Sequence, residues 1–573
     1  MRRALRLRLI EALRPSDLQL TLLWAGLVGL CGALISVAFR ALAQEVQELA
    51  FGVEGELVAG AGAVAGWERV VIPAVGGLAA GLVIRYGAHL AKGQPSTDYM
   101  EAVSLGDGTI RVRPSLVKST ASLLSVSSGG SIGREGAMAQ LSSMFASWVG
   151  RRRALPKPRL QLLVACGAAA GIASAYNVPI AGALFVAEIV LGTIAMESFG
   201  PLVFASVVST LATRALLGGK PLFEIPQFEL VSYLELGPYM VLGMLLGAVS
   251  PWFVRSLRDS ERLFMAAVPA LPMRLAVGGA IVGMFALRVP QVWGNGYSSI
   301  DAILGQDWTW QFVAMVLVCK LAATISTVGS GAVGGVFTPT LFVGAACGAL
   351  FGSLVHAQLG DLSAAPSAYA LVGMGSFLAG VTHAPLTAIL MLFEMTRDYG
   401  IVLPLMLACV VAYYTSRAIE PRSMYAPKLA TAGPRATLAR PEEATIRELV
   451  RPPPVTLRHD APFSAVVEHF VNHRHNYVYV VDEDRRFLGA VSLHDIKGSM
   501  ADPVLSQLVI ASELMDPEFP YLEADCTVGA ALDKLMRHYG ERLPVVDGHG
   551  GRILVGTLSK RDLLLTVGMR RES

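Results

Sequence analysis

Long apolar runs recur along this chain from residue 20 to about residue 418. The first, Leu20 to Phe39, carries no charge, and it is long enough to cross a bilayer, because a span needs about 20 such residues. Further runs begin at Val70, Tyr239 and Leu275. The pattern predicts an all-α, polytopic membrane region over residues 20–425.

Many of the later runs are short and are interrupted by Gly or Pro. Irregular backbone at membrane depth is tolerated only where protein or a water-filled cavity satisfies its polar groups. Interrupted segments therefore indicate a transport site. The composition agrees with a membrane protein, since 16% of the residues are charged, compared with about 25% in soluble proteins.

The basic residues 1–19 favour a cytoplasmic N-terminus. A cleaved signal peptide is the alternative, but no A-x-A-like site follows a short apolar core. The six cysteines contain no C-x-x-C pair, so the sequence predicts neither a zinc site nor a disulfide framework.

The composition changes after about residue 420, and a Pro- and charge-rich stretch predicts a linker over residues 426–446. Beyond it, a helix–strand–strand–helix pattern occurs twice. Gly489 and Asp495 recur as Gly556 and Asp562, at an offset of 67 residues. We expect two α/β units, residues 447–502 and 510–569, which together resemble a tandem cystathionine-β-synthase (CBS) domain pair.

The membrane region also contains an internal repeat, with two homologous halves at about 20–215 and 235–425. An inverted arrangement is favoured, because it lets broken helices from both halves point at one site near the membrane midplane. At an offset of 202, the matching pairs are Lys118/Lys320, Ser128/Ser330, Gly129/Gly331 and Gly133/Gly335; at 206 they are Gly167/Gly373, Pro179/Pro385 and Glu188/Glu394.

Each half carries a glycine-rich turn before an apolar segment, "GGSIGREGA" from Gly129 and "GAVGGVFTP" from Gly331. Glycines let backbone amides approach a ligand closely, and a helix start leaves N–H groups free with a partial positive charge. Two such starts facing each other would bind an anion without a fixed cation. The alternative is that these glycines only permit close helix packing.

Glu135 stands inside the first turn, where a carboxylate at membrane depth is costly unless it is paired or functional. An ionised Glu135 would compete with an anion for the same amides, and a protonated one could leave them and carry a proton. This makes Glu135 a candidate gate. Alternatively, it only neutralises the helix dipole or pairs with Arg134.

These motifs resemble the CLC chloride channel and transporter family over nearly all of residues 20–430. "GREGA" resembles G-[KR]-E-G-P, "GGVFTP" matches G-x-F-x-P, and "SMYAP" fits the late motif with the pore tyrosine, here Tyr425. The stretches "PSTDYMEAV", "GSIGREGAM" and "LFVAEIVLGT" are similar to the bacterial ClcB-type branch.

The resemblance implies a homodimer with one anion pathway in each subunit. Central chloride would be bound by the amides of Val336 and Phe337 and by the Tyr425 hydroxyl. The amides of Arg134, Glu135 and Gly136 would form the outer site, with Glu135 as the gating glutamate.

Two positions depart from the family pattern. The motif G-S-G-I-P-E is replaced by "GQPSTD", which puts Gln94 and Pro95 in the anion site where the pore serine is usual, so selectivity among chloride, nitrate and bromide stays open. The internal proton glutamate of the exchangers aligns with Ile189, and Glu188 lies one residue earlier as a possible member of a proton path. A channel and a Cl⁻/H⁺ exchanger therefore both remain open.

In the CBS-like pair, two Ser/Asp pairs lie where such domains commonly contact an adenine nucleotide: Ser492 with Asp495, and Ser559 with Asp562. A ligand-free packing module is the alternative.

The sequence lacks the motifs of two other protein classes. There is no H-E-x-x-H of a metalloprotease and no G-x-x-x-x-G-K-[ST] of a P-loop ATPase. A CBS-containing cation transporter, which would want pore carboxylates, is the more remote alternative.

We expect chloride transport rather than an enzyme, with no required cofactor, metal or nucleic acid. The protein would be a homodimer in the lipid of a bacterial inner membrane, moving chloride and, in the exchanger alternative, protons. Its N-terminus and CBS domains would be cytoplasmic.

Overall fold

The chain forms two compact units, Met1–Gly433 and Pro434–Ser573, in a computed structural model. The structure describes residues 17–52, 55, 57–90, 98–219, 221–223, 233–305, 307–425, 445–451, 456–472, 476–497, 509–537, 542–547, 551–560 and 563.

The described part of the first unit is built from α-helices joined by short 3₁₀ and irregular segments. They are α1 Asp17–Phe51, α2 Gly66–Leu90, α3 Tyr99–Ser104, α4 Val112–Ser127, α5 Glu135–Arg152, α6 Lys157–Tyr176, α7 Pro179–Phe185, α8 Met196–Leu217, α9 Leu236–Ala267, α10 Leu271–Ala286, α11 Tyr297–Leu304, α12 Trp310–Gly329, α13 Phe337–Leu359, α14 Pro366–Thr382, α15 Pro385–Thr396 and α16 Val402–Ile419. A π-helical turn, Val186–Leu191, continues α7.

Among the described residues, eight helices are long and apolar enough to cross a membrane. Shorter apolar helices lie between them, over Pro179–Leu191, Leu271–Ala286 and Pro385–Thr396. This mixture confirms the prediction of a polytopic membrane domain with interrupted spans.

The two halves use the same local signals to end and restart their helices. α6 and α14 stop at left-handed residues, Asn177 with φ 62° and His383 with φ 58°. Such a residue closes the last turn of a helix by bonding its free carbonyls. Two residues later, Pro179 and Pro385 each open the next helix, at the position where proline costs no hydrogen bond.

The helices α2 and α10 show the twofold relation of the halves in their packing. A Cβ placed on Gly77 would lie 2.3 Å from the Leu275 carbonyl oxygen, and one on Gly279 would lie 2.0 Å from that of Pro73. Both members of each contact are related by the offset of 202 residues. The contact is therefore reciprocal, as a twofold relation between two homologous halves requires.

The second unit contains two small sheets of identical topology. In each, the first strand is parallel to the second and the second is antiparallel to the third. The strands are β1 Leu457–Arg458, β2 Tyr477–Val481, β3 Phe487–Ser492, β4 Leu522–Glu523, β5 Arg542–Val546 and β6 Leu554–Ser559; the helices are α17 Phe463–Asn472, α18 Leu493–Ile496, α19 Ala511–Leu514 and α20 Val528–Arg537.

The two sheets of this unit are tied together by segments that exchange partners. Arg451, ahead of the first sheet, bridges to Thr557 in the second sheet, and Asp516, ahead of the second, bridges to Ala490 in the first. The glycines that define the sequence repeat occupy these close contacts. A Cβ on Gly489 would lie 2.4 Å from the Asp516 carbonyl oxygen, and one on Gly556 would lie 2.2 Å from that of Arg451.

Candidate anion site at the paired glycine-rich turns

The two glycine-rich turns lie against each other. The Gly133 amide donates to the Gly335 carbonyl at 2.7 Å, and the Gly335 amide donates to the Gly133 carbonyl at 2.9 Å. α5 begins two residues after Gly133 and α13 two residues after Gly335. The N-termini of two helices, with their free amides and positive dipole ends, therefore meet at this bridge.

Glu135 closes the space between the two helix starts. It is 8% exposed, and its Oε1 atom accepts a hydrogen bond from the Phe337 amide at 3.2 Å. A Cβ on either bridging glycine would lie 2.0 Å from a carboxylate oxygen of Glu135. Glycine at both positions thus makes room for the carboxylate, which occupies an amide of the opposite half.

Aromatic rings from three helices and the segment after α16 surround this point. The Phe337 ring lies 5.2 Å from that of Tyr176 and 6.1 Å from that of Phe185, while Phe185 lies 5.8 Å from Tyr425 (centroid distances). The Tyr176 hydroxyl is 3.1 Å from Thr338 Oγ1. The rings line the site without adding a fixed charge.

A cavity of about 560 Å³ brings most of the predicted site residues together: Glu135, Gly136, Val336, Phe337 and Tyr425. Arg134 instead lines a second cavity of about 270 Å³, together with Asn295 and Tyr297. The turn at Arg134 and Glu135 thus adjoins both cavities. Gln94 and Pro95 lie outside the described residues.

Glu188 and Glu394 bind the starts of each other's helices. Glu188 accepts hydrogen bonds from the Leu386 amide at 3.2 Å and from the amide and hydroxyl of Thr387 at 2.8 and 2.6 Å. Glu394 accepts from the Ile180 and Ala181 amides at 2.9 and 2.8 Å. Carboxylates at helix N-termini are stabilising, so each glutamate holds α7 and α15 together.

The π-helical turn is a further feature of this region, and it contains both Glu188 and Ile189. Ile189 is buried. The carboxylate of Glu188 is directed to the start of α15, and its membership of a proton path stays a prediction.

Two residues near the turns, Tyr176 and Lys320, could not be assigned a role from the sequence. Tyr176 has no motif of its own, and its only signal is its place before the left-handed Asn177. The sequence indicates only that Lys320 repeats Lys118. It is fully buried, and its Nζ donates to the carbonyls of Val292 and Gly294 at 2.9 Å each. It therefore anchors the loop that lines the smaller cavity.

In the second unit, Ser492 ends β3, and its hydroxyl accepts a hydrogen bond from the His494 amide at 3.1 Å, which caps α18. Asp495 is exposed on that helix, and Ser559 ends β6 at the equivalent place. Asp562 lies outside the described residues. Within the described ranges, no group of three or more His, Cys, Asp or Glu side chains is arranged to hold a metal ion.

Comparison with known proteins finds a matching family for each of the two units. The family model for the voltage gated chloride channel matches residues 76–417, and the CBS domain model matches residues 446–502 and 511–568. A ClcB-like chloride channel protein of Ralstonia nicotianae is 48% identical over 410 residues, which is 71% of this chain and 96% of the relative.

Two solved structures share the fold. A slow cyanobacterial Cl⁻/H⁺ antiporter aligns with a TM-score of 0.64 at 24% identity, covering 71% of this chain and 97% of its own. A eukaryotic CLC transporter aligns with a TM-score of 0.65 at 19% identity, covering 95% of this chain and 97% of its own. With its paired glycine-rich turns and its C-terminal CBS domains, the chain belongs to the voltage-gated chloride channel (CLC) family, in its ClcB-like branch.

Proposed function

We propose that this protein carries chloride across a membrane, with the anion bound at the paired helix starts and Glu135 as the gate. The observation that carries the proposal is the hydrogen bond from the Phe337 amide to the Glu135 carboxylate. A carboxylate on that amide occupies the position that an anion would take. The relatives named as chloride channels support chloride as the anion.

The chemistry of the turns suits transport more than storage. The amides of Arg134 to Gly136 and of Val336 and Phe337 offer partial positive charge at two helix starts. Conduction needs binding that is favourable enough for entry and weak enough for release. Amides and the Tyr425 hydroxyl meet this need better than a lysine or arginine contact would. No catalytic chemistry is assigned to the chain.

Gating follows from the protonation state of Glu135. The ionised carboxylate competes with chloride for the Phe337 amide, whereas the protonated one gains less from that amide and can swing away. Chloride flux should therefore rise as pH falls. Water in the adjoining cavities can supply the proton.

A channel-like mechanism is favoured over exchange. Ile189 stands at the internal proton position of the exchangers, and the Glu188 carboxylate accepts hydrogen bonds from amides at the start of α15. A Cl⁻/H⁺ antiporter is the second candidate, because Glu135 can itself carry a proton and the slow cyanobacterial protein with the same fold is a Cl⁻/H⁺ antiporter.

Further assignments complete the proposal. The protein is a homodimer in a bacterial inner membrane, with one pathway in each subunit and with its N-terminus and CBS domains cytoplasmic. The membrane domain spans residues 20–425, and the CBS domains span residues 447–502 and 510–569. Adenine nucleotide binds near Ser492 and Ser559, and Gln94 and Pro95 tune the choice among chloride, nitrate and bromide.

Reconstitution in liposomes tests this function when chloride and internal pH are recorded together. We expect chloride to move down its gradient without uphill proton movement. Uphill proton movement driven by a chloride gradient would establish the antiporter instead, and an absence of chloride flux would refute the proposed function.

A further inference from the structure

Two arginines of α9 share one carboxylate oxygen next to the end of α16. Arg255 Nε and Arg258 Nη2 lie 3.0 and 3.3 Å from the same oxygen, Oε2, of Glu420. Arg255 also donates to the Ile419 carbonyl at 3.3 Å. With two positive charges and one negative charge, this arginine cluster of Arg255, Arg258 and Glu420 has a net charge of +1.

The two arginines differ in what they face. Arg258, together with Glu261, lines the cavity of about 560 Å³ whose lining also includes Tyr425 and Glu135. Arg255 lies outside that lining, and its side chain is 50% exposed, compared with 35% for Arg258. Because Arg258 and Glu261 are both partly open to solvent, this part of the lining is the mouth of the cavity.

The Glu420 carboxylate of the cluster stays ionised at neutral pH. Burial alone would raise the pKa of Glu420, but the hydrogen bond from Arg255 and the charges of Arg258 and Arg255 outweigh it, so this pKa lies below its usual value. The Glu420 side chain is 16% exposed and is therefore more buried than the side chains of the two arginines that share it.

The cavity has room for many water molecules. Its volume of about 560 Å³ far exceeds the roughly 30 Å³ that one water molecule fills. A charge on the wall then acts on the anion at a distance and not by direct contact. Low-dielectric walls strengthen the interaction between such a charge and the anion.

Among the described residues of the lining, Arg258 and Lys118 carry positive charge, whereas Asp98, Glu135 and Glu261 carry negative charge. The lining by itself therefore has no positive excess. A cation at the mouth matters because it opposes these carboxylates where the anion enters or leaves.

We propose that Arg258 recruits anions at the mouth of this cavity and that Glu420 sets how much of its charge the anion path experiences. The proposal rests on chloride transport as the function and names a further positioning residue for it. The competing interpretation is that the cluster only braces α9 against the end of α16.

Single variants separate the two interpretations, with chloride supplied from one side at a time. The side to be tested is the one on which α16 ends. It is identified as the side from which added protease releases the C-terminal unit, because that unit follows α16 in the chain. At about 0.01 M salt, where the Debye length is about 30 Å, we expect Arg258→Gln to lower chloride flux from that side about two- to fivefold. Flux from the other side should stay at the wild-type level.

The matched variants should behave differently. Arg258→Lys keeps the charge and should restore flux. Glu420→Gln removes the neutralising partner and should raise flux from the same side about twofold. Arg255→Gln removes a charge from the same carboxylate but outside the lining, and it should lower flux less than Arg258→Gln does. All differences should vanish near 1 M salt, where the Debye length is about 3 Å.

Several results would overturn the proposal. Equal losses in Arg258→Gln and Arg255→Gln, a loss in Glu420→Gln, or losses that ignore salt and side would each mean that the cluster is a brace. Wild-type flux with an ineffective Arg258→Gln refutes this proposal alone. A wild type without chloride flux refutes the proposed function and this proposal together.

Discussion

The two glycine-rich turns occupy equivalent positions in the repeat but carry different side chains. In the first turn, Arg134 and Glu135 stand where the second has Val336 and Phe337. The backbones pair as equals through the bridge of Gly133 and Gly335, but only the first turn supplies a carboxylate. The second turn therefore offers an amide, and the first turn supplies the group that occupies it.

A second difference explains how the first turn is held. The Ser131 hydroxyl lies 3.0 Å from Thr324 Oγ1, and the Ser131 amide donates to Thr327 Oγ1 at 3.3 Å. Val333 stands at the equivalent position of the second turn and has no such hydroxyl. The turn that bears Glu135, the proposed gate, is thus held by side-chain hydrogen bonds to the opposite half. The two halves therefore share a backbone arrangement but differ in the side chains that they bring to the proposed anion site.

The packing of the halves can be broken at its reciprocal glycines, where we expect the largest effect. Gly77→Ala and Gly279→Ala each place a Cβ against backbone that cannot move aside. Each should lower the free energy of unfolding by about 1–3 kcal/mol, measured by thermal or denaturant unfolding in detergent. Gly66→Ala is the control in α2, because its nearest atom would be 3.9 Å away.

Similar losses at both sites and none in the control would support the reciprocal contact. If only one of the two alanines destabilised the protein, the halves would not pack as equals.

The helix caps provide a smaller test of the same equivalence. Glu188→Gln and Glu394→Gln each remove a negative charge from the start of the partner helix. Each should lower the free energy of unfolding by about 1 kcal/mol, with chloride flux retained in liposomes. The two variants serve as each other's control because their positions are equivalent. If Glu188→Gln alone abolished proton movement, Glu188 would belong to a proton path and the antiporter would gain support.

Much of the fold could be predicted because the internal repeat can be recognised in the sequence. Constant offsets predicted two homologous halves, and the glycine-rich turns predicted that their helix starts form one site. The tandem units after the linker were equally readable, since Gly489 and Gly556 keep their spacing and both lie at close backbone contacts.

The contacts between distant residues were not predictable. Equivalence of Glu188 and Glu394 does not reveal that each carboxylate binds the other's helix, because the distance between α7 and α15 is set by tertiary packing. A π-helical turn also leaves no signal in the apolar pattern. Arg258 and Glu420 belong to no motif, and their pairing depends on how α9 packs against the end of α16.

Glu135→Gln tests the central claim most directly. Chloride flux into liposomes would be recorded from acidic to neutral pH for the wild type and for this variant, which keeps the size of the side chain but loses its charge. We predict that wild-type flux rises as pH falls, whereas Glu135→Gln conducts at all pH values with no proton movement. A variant that kept the pH dependence of the wild type would contradict the assignment of Glu135 as the gate.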